Sequence, residues 1–255
     1  LDRRTANNNP AQIAASHAHL GLCYQAKGEY DTAIDQYTKA LASPDERDRA
    51  EGLNRRGICY YEKGLHEEAI QDQLEALKTQ EKLQKEIEIR KKDAQATQNQ
   101  PALLKMQEAL LENQRDQGKS YSSLGLCYEK KRDYPRAIEY HTKALDIRKD
   151  LQKNPLDIAE SYNNLALCYK NTRKFEEAQQ SYQKALDIGR DIFQDHPKMA
   201  MIWQNRGFCW LAEKGPSNPE VKNCFHRAYE ICKVFFGEGH DKTKEAYDIW
   251  EFYNQ

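Results

Sequence analysis

The fold of this chain is decided by the stretch from Ser161 to Ile188, SYNNLALCYKNTRKFEEAQQSYQKALDI. Its first part carries apolar residues three and four positions apart, at Tyr162, Leu165 and Tyr169, which places them on one face of a helix. Its second part carries a similar face, and a short polar run separates the two parts. The stretch therefore predicts two helices joined by a tight turn.

This pattern occurs four more times along the chain. The small residue Ala166, which lies near a cysteine and an aromatic residue, has four equivalents in similar strings: Gly21, Gly57, Gly125 and Gly207. Successive members are 36, 68, 41 and 41 residues apart. A helix–turn–helix unit repeated at such spacings is typical of a stacked array, because one hairpin cannot bury its apolar face alone.

Small and large residues are placed where the two helices of a repeat should touch. Ala166 and Ala178 allow the helices to approach closely, and Tyr182 fills the space beside them. The equivalent position in other repeats carries Tyr37, Gln73 and His141. Because His141 stands in place of a core aromatic, we expect it to be a buried core histidine.

These strings resemble the tetratricopeptide repeat (TPR). The string Asn163-Asn164-Leu165-Ala166 and the openers Asn154-Pro155 and His196-Pro197 are similar to the kinesin-light-chain type of that repeat. Arg56 and Arg206 depart from the pattern, since leucine is usual there. The resemblance covers nearly the whole chain. It implies an all-α, right-handed α-solenoid of about five helix–turn–helix repeats.

The repeat boundaries are predicted from proline, glycine and polar turn residues. We expect a single TPR array over residues 1–255, with repeats at about 10–44, 45–98, 101–152, 155–194 and 197–236 and a capping helix at 241–254. Because the chain opens with Leu1 rather than methionine, we also expect it to be part of a longer protein.

The long interval between the second and third repeats has two interpretations. It contains 32 residues more than the preceding spacing, and Asn99-Gln100-Pro101 is its one strong break. One interpretation is a degenerate sixth repeat. The other, which we favour, is a lengthened helical hairpin with arms at about 66–98 and 101–131, because no helix breaker stands near Lys82 or Leu83. Its outer half would project from the array.

Charge and cysteine content limit the possible functions. The net charge is −1, from 39 basic and 40 acidic residues, which disfavours binding to nucleic acid or to a membrane surface.

Five of the seven cysteines occupy one repeat position: Cys23, Cys59, Cys127, Cys168 and Cys209. Successive repeats lie roughly 10 Å apart, too far for a disulfide. We expect buried, reduced thiols and a cytoplasmic location.

No arrangement of residues typical of catalysis is present. The histidines and cysteines lack the H-E-x-x-H and C-x-x-C spacings of metal sites, and no glycine-rich phosphate loop or G-x-S-x-G string occurs. The sequence therefore predicts a protein without enzymatic activity, catalytic residues, metal or cofactor.

The resemblance implies that the first helices of successive repeats line a concave groove for an extended peptide or a helix. Placed residue by residue, the predicted groove contains Asn54, Ile58, Tyr61, Lys119, Ser122, Leu126, Asn163, Leu167, Lys170, Gln204 and Phe208. Asn54, Asn163 and Gln204 share one repeat position, and their amides can pair with a peptide backbone. One turn further on, an apolar row either anchors a ligand or packs against neighbouring helices; its members are Leu22, Ile58, Leu126, Leu167 and Phe208.

Two functions fit these features. The first is an adaptor or scaffold that binds a peptide or helix of a partner protein in the groove. The alternative is a sensor or assembly array in a larger signalling protein, acting by intramolecular contacts or self-association through the projecting hairpin. An adjoining nucleotide-binding or death-type domain would favour the alternative.

Overall fold

The computed structural model describes residues 9–151, 154–190 and 195–254, and these contain eleven α-helices and no strand. The helices are α1 (Pro10–Ala26), α2 (Tyr30–Ala40), α3 (Glu46–Glu62), α4 (His66–Ala96), α5 (Gln100–Lys130), α6 (Tyr134–Asp150), α7 (Pro155–Asn171), α8 (Phe175–Gly189), α9 (Pro197–Lys214), α10 (Pro219–Phe236) and α11 (Asp241–Asn254). The prediction of an all-α chain is confirmed. None of these described helices combines the length and apolar character that crossing a membrane requires.

The chain divides into two compact units. The first ends at Asp133 and contains α1 to α5, and the second begins at Tyr134 and contains α6 to α11. In the first unit each helix packs on the next, and α3 also contacts α1 and α5. In the second unit each helix likewise packs on the next, and α7 also contacts α9. First helices of successive repeats therefore lie beside one another within each unit.

Asparagine followed by proline starts several helices. The Asn154 side chain accepts a hydrogen bond from the Leu156 amide at 3.1 Å, and Asn218 accepts one from the Glu220 amide at 2.8 Å. The following prolines occupy the first helical position, where no backbone N–H is needed. These local caps explain why the predicted helix starts agree with the structure.

The turn inside each hairpin uses a residue in the left-handed region. Gly28 and Gly64 have φ of 77° and 78°, which glycine adopts without steric cost. Arginine takes this position in two later turns, with φ of 60° at Arg132 and 59° at Arg173. A side chain in this region costs about 1 kcal/mol or more, so these two turns are less favourable locally.

The small residues of the repeat pattern lie where helices approach most closely. A Cβ atom on Gly21 would be 2.6 Å from the Tyr37 ring, and one on Gly207 would be 2.7 Å from the Phe225 ring. Ala166 itself is completely buried. These contacts confirm the predicted pairing of a small residue on the first helix with a large one on the second.

The interval between the second and third repeats forms two continuous helices. Helices α4 and α5 have 31 residues each, about 45 Å at 1.5 Å per residue, and residues 97–99 join them. No break occurs near Lys82. Between residues 81 and 112, a segment we call the arm, Ala94 is the single buried residue. The arm therefore holds little core of its own.

Polar side chains fill the interior at the base of the arm. Ser120 Oγ accepts a hydrogen bond from Asn54 Nδ2 at 2.9 Å and donates one to Gln80 Oε1 at 3.3 Å. Arg56 makes two 2.8 Å contacts with the carboxylate of Asp72, which is only 4% exposed. The junction of α3, α4 and α5 is therefore stabilised by hydrogen bonds and a buried ion pair as well as by apolar contact.

The interior of the second unit is mainly apolar. One cluster joins α7, α8, α9, α10 and α11, and Tyr182 and Ile202 are among its fully buried members. The Trp250 ring of α11 stacks on the Tyr229 ring of α10 with an interplanar angle of 2°. Helix α11 thereby covers part of α10, although Phe252 near its end is 69% exposed.

The cysteine prediction is confirmed in part. All seven cysteines are free, and Cys59, Cys127 and Cys168 are buried as expected. Cys23, however, is exposed. Among the described residues only α2 and α3 pack against α1, so this side of α1 has no covering helix. Burial raises the pKa of the Cys59 thiol to about 11 and that of Cys127 to about 12, which keeps both protonated.

Candidate functional site

The predicted groove residues of the first unit lie on α3 and α5, which are adjacent. They are Asn54, Ile58 and Tyr61 on α3, and Lys119, Ser122 and Leu126 on α5. Ile58, Tyr61 and Leu126 are half-buried and Lys119 is exposed, whereas Asn54 and Ser122 are buried. The structure thus brings these residues onto neighbouring helices but leaves only part of the set accessible.

The predicted residues of the second unit lie on α7 and α9, which are also adjacent. Leu167 and Lys170 on α7 and Gln204 and Phe208 on α9 are half-buried. Asn163 is only 1% exposed. The Phe208 ring rests edge-on against Phe225 at 5.0 Å between centroids, so α10 supports this side chain from behind.

The two asparagines of the expected amide row do not face solvent. Asn54 is 6% exposed and donates to Ser120 on α5. Asn163 Oδ1 accepts a 3.0 Å hydrogen bond from Asn205 Nδ2 on α9. Both amides therefore connect one first helix to the next, which corrects the expectation that they point free into a groove. Substituting either asparagine would therefore disturb the packing of neighbouring first helices as well as the surface of the predicted groove.

The apolar row beside these asparagines remains partly accessible. Leu22, Ile58 and Leu126 in the first unit, and Leu167 and Phe208 in the second, are each half-buried. Each therefore packs against a neighbouring helix and also presents apolar surface. Packing therefore explains part of the row, and the remaining apolar surface of these side chains is exposed to solvent.

Charged side chains near this row are largely neutralised by their neighbours. Arg55 pairs with Glu51 at 2.7 Å, and Lys119 pairs with Asp116 at 2.8 Å. Lys198 on α9 pairs with Glu160 on α7 at 2.6 Å. These ion pairs reduce the net charge that surrounds the row within each unit.

The Tyr61 hydroxyl adds a polar group to the face of the first unit. Burial raises the pKa of Tyr61 to about 12, with smaller contributions from Glu129 and other nearby acidic groups. The phenol is therefore neutral at physiological pH and keeps its proton for hydrogen bonding. Its ring is tilted against His66 at 5.6 Å between centroids.

The structure also contains surface clefts that the sequence did not predict, and two of them lie beside the first helices of the first and fifth repeats. The first cleft lies between α1, α2 and α3, has a volume of about 180 Å³, and is lined by Ala14, Ala18, Leu22, Ala40, Gly52 and others. The second cleft lies between α9, α10 and α11, has a volume of about 340 Å³, and is lined by Ala200, Met201, Gln204, Ala228, Ala246 and others. The alanine and glycine residues that line these clefts are the feature of the sequence that could have indicated them.

Comparisons with known proteins agree with the helical repeat fold. Three family models, each described as a tetratricopeptide repeat, match residues 19–82, 120–155 and 159–191, together just over half of the chain. No curated protein has a significantly matching sequence.

Several solved structures share the fold. BtubC (BKLC) from P. vanneervenii superposes with a TM-score of 0.68 at 19% identity, over 94% of this chain and 88% of that one. A kinesin-light-chain-like protein of nearly identical TPR-like repeats from Podosopora anserina gives 0.62 at 15% identity, over 89% and 98%. YrrB, titled a TPR protein with an unusual peptide-binding site, gives 0.53 at 15% identity, over 92% of each chain. With repeats recognised in both units and this shared fold, the chain belongs to the tetratricopeptide repeat family.

Proposed function

We propose that this chain is an adaptor or scaffold that binds a peptide or helix of a partner protein along the face of its first helices. The observation that carries the proposal is the half-buried apolar row, represented by Ile58 and Leu126 in the first unit and by Leu167 and Phe208 in the second. Apolar side chains held on fixed helices and left partly open supply anchors for a ligand at little cost in ordering.

The family relationship supports a general protein-binding role. Tetratricopeptide repeats are interaction modules, generally without enzymatic activity, and we propose the same for this chain. The solved structure of YrrB, whose title names a peptide-binding site, shares the fold. The nearly balanced charge supports a protein partner rather than nucleic acid or a membrane. Seven free cysteines suit a reducing compartment, and we place the activity in the cytoplasm.

The groove is tested by charged substitutions in the apolar row. Partners are captured from a cell extract with the wild-type chain, identified, and measured again with Ile58→Glu plus Leu126→Glu and with Leu167→Glu plus Phe208→Glu. We expect at least one pair to weaken the partner roughly 10–100-fold, since each lost apolar anchor is worth about 1–2 kcal/mol.

The matched control is Leu104→Glu with Leu111→Glu on the arm, two side chains that are 59% and 44% exposed. We expect this pair to leave the groove partner unaffected. Melting curves must match the wild type for every variant. If both groove pairs bind normally, the groove proposal is wrong.

The arm supports a second candidate function, assembly through self-association. Ile89, Leu104 and Leu111 are 60%, 59% and 44% exposed on an arm with almost no buried residues. Light scattering of the wild type and of the Leu104→Glu, Leu111→Glu pair tests it. A wild-type oligomer that the arm pair dissociates would make assembly, as part of a larger signalling protein, the better proposal.

A further inference from the structure

The first helix carries an apolar stripe that no other described helix covers. Ile13 and Leu20 are 45% and 46% exposed, and Cys23 is exposed as well. Together with Ser16 they are spaced by three and four residues, so they share one face of α1. We call these four residues the α1 stripe. It lies on a different side of the helix from Leu22, the member of the apolar row on α1.

The residue types of the α1 stripe are buried in two other repeats. With the small residues of the repeats aligned, the triplet Ser16, Leu20 and Cys23 has identical counterparts in the third and fourth repeats. They are Ser120, Leu124 and Cys127, and Ser161, Leu165 and Cys168. None of these six counterparts is more than 5% exposed. The α1 stripe therefore has a pattern that the fold buries elsewhere.

In those two repeats the covering element is the second helix of the preceding repeat. Ser120 Oγ donates a 3.3 Å hydrogen bond to Gln80 Oε1 on α4, and Ser161 Oγ accepts one from the guanidinium of Arg148 on α6. Both serines therefore face the helix that precedes their own. Among the described residues α1 packs only against α2 and α3, which follow it, so no helix takes this place beside Ser16.

Helix α1 is also the one described helix without a charged side chain. Its 17 residues, PAQIAASHAHLGLCYQA, contain no Asp, Glu, Lys or Arg. The outermost helix of a repeat array normally presents a polar face to water, which keeps the array soluble. The exposed side of α1 instead combines Ile13 and Leu20 with the small residues Ala15 and Ser16. The Ser16 hydroxyl already donates to the Gln12 carbonyl at 2.8 Å, so its proton stays bonded when the face is covered.

We infer that the α1 stripe is a self-association surface, which pairs with the same stripe of a second copy of this chain. A two-fold axis brings identical faces together, so a charged residue near its centre would meet a like charge. The uncharged α1 meets this requirement. In the antiparallel pairing Ile13 lies opposite Leu20 of the second copy, because both are equally far from the midpoint of the stripe. The small Ser16 lies beside the axis, where the helices are closest.

The surface is small, so the dimer is weak and reversible. A helix of 17 residues is about 25 Å long and about 10 Å wide, which gives a footprint of about 250 Å². Each partner contributes roughly 800 Å² to an interface of standard size. Association therefore depends on the concentration of the chain, and it is absent from dilute solution.

Sedimentation equilibrium of the full chain between about 1 and 200 µM tests the dimer, since this range spans weak association. We expect the mass of the wild type to rise toward that of two chains. Ile13→Glu alone and Leu20→Lys alone should each weaken association at least about 10-fold, because each places two charges against apolar side chains. Both positions are nearly half exposed, and unchanged melting curves confirm that the variants are folded.

An equal mixture of the two variants tests the antiparallel pairing directly. In the mixed dimer the Ile13→Glu carboxylate of one chain lies opposite the Leu20→Lys ammonium of the other. At the other end of the stripe the unchanged Leu20 and Ile13 meet as in the wild type. We expect the mixture to dimerise at concentrations where neither variant does so alone. A mixture that stays monomeric would overturn the inference.

The thiol of Cys23 gives an independent measurement of the same face. It is the one exposed cysteine, and the other six are buried. In the dimer it lies opposite Pro10 of the second copy. Its reaction with a thiol reagent should therefore slow several-fold as the wild-type concentration rises, and it should not change with the concentration of Leu20→Lys. A rate that is independent of concentration in both proteins would contradict the pairing.

The arm and the groove supply the controls. Leu104→Glu with Leu111→Glu should leave the α1 dimer intact. If this arm pair dissociates the wild-type dimer while Leu20→Lys does not, the α1 inference is wrong and the arm carries self-association. Leu20→Lys should not alter capture of a groove partner, since Leu20 lies outside the apolar row. A wild-type chain that remains monomeric throughout would overturn this inference and leave the peptide-binding proposal standing.

Discussion

Two hairpins of this chain fill the same interior position with chemically different side chains. In the α3–α4 hairpin, Gly57 faces Gln73, and in the α7–α8 hairpin, Ala166 and Tyr182 hold the equivalent positions. Gln73 and Tyr182 are both completely buried. The repeat geometry therefore accommodates either an amide or an aromatic ring at this position. The two hairpins should differ in stability as a result.

The amide forms bonds that depend on its neighbours. Gln73 Nε2 donates to the carbonyl of Asn54 at 2.9 Å, while Gln73 Oε1 has no hydrogen-bond partner among the described residues. Tyr182 instead belongs to an apolar cluster that extends into α9 and α10. The buried amide contributes mainly through its one hydrogen bond, whereas the buried ring contributes through the larger apolar area that it removes from water. The α7–α8 hairpin should therefore be the more stable of the two.

The largest effect should follow from removing the ring. Tyr182→Ala leaves a cavity in the cluster of the second unit and should lower the free energy of unfolding by about 3–5 kcal/mol. Tyr182→Phe is the matched control and should cost far less. All three tryptophans lie in α9 to α11, so guanidinium unfolding followed by tryptophan emission reports on this unit. Similar stabilities for the two variants would contradict the importance of the ring.

A pH effect should follow from His141, the third residue type at this position. Burial lowers the pKa of His141 to about 4, and Arg148 adds to the shift. The unfolded histidine takes up a proton near pH 6.5, so the folded state loses up to about 3 kcal/mol as the pH falls from 6.5 to 4. Above pH 6.5 the residue contributes no pH dependence.

His141→Phe isolates this contribution. Unfolding free energies of the wild type and the variant, followed by tryptophan emission at pH 7 and pH 4.5, should differ in their pH dependence by most of that amount. Carboxylates that titrate in the same range cancel in the difference. Parallel pH profiles would show that His141 is charged in the folded state or is not linked to unfolding.

A smaller effect, of opposite sign, should follow at Gln73. Gln73→Met removes the unsatisfied oxygen at similar volume and should raise the free energy of unfolding by about 1 kcal/mol. Hydrogen exchange of the α4 amides measures it, because the first unit contains no tryptophan. Gln73→Glu buries a charge and should destabilise strongly. If Gln73→Met instead lowers the free energy of unfolding, the Gln73 amide stabilises the fold by more than its one hydrogen bond accounts for.

The smallest effect should come from the turns of the same two hairpins. Gly64 and Arg173 both have positive φ, at 78° and 59°. Arg173→Gly removes the steric penalty of the left-handed conformation but adds freedom to the unfolded chain, for a net gain of about 0.5 kcal/mol. Gly64→Ala should cost about 1 kcal/mol. The two melting temperatures should therefore move in opposite directions.

Much of the fold could be predicted because its signals are local. Helix starts follow Asn-Pro and His-Pro pairs, turns follow the hairpin residues at Gly28 and Gly64, and the repeated small residues mark helix contacts. The long α4 and α5 could be favoured over a sixth repeat for the same reason, since their sequences contain no internal breaker. Local propensities and short-range contacts act over the span of one hairpin.

The candidate site could be predicted only in part. Within each unit the members of the apolar row lie on adjacent first helices, because helix periodicity sets which side chains share a face. Whether an amide on that face is free depends on the next helix, which lies tens of residues away in sequence. The accessible Gln204 and the buried Asn163 are therefore indistinguishable by pattern.

The sequence by itself determined the all-α repeat class, the helix boundaries and the pairing of small with large residues, because these depend on spacing within a single hairpin. Only the tertiary structure decided that Asn54 and Asn163 connect neighbouring helices, that Cys23 is exposed, and that clefts remain open beside Ala18 and Gln204. These outcomes depend on which side chains of the following repeat fill a given space. They cannot be read from one hairpin, because the residues concerned are far apart in sequence. Hydrogen bonding and side-chain volume determine the outcome only once the helices are in contact.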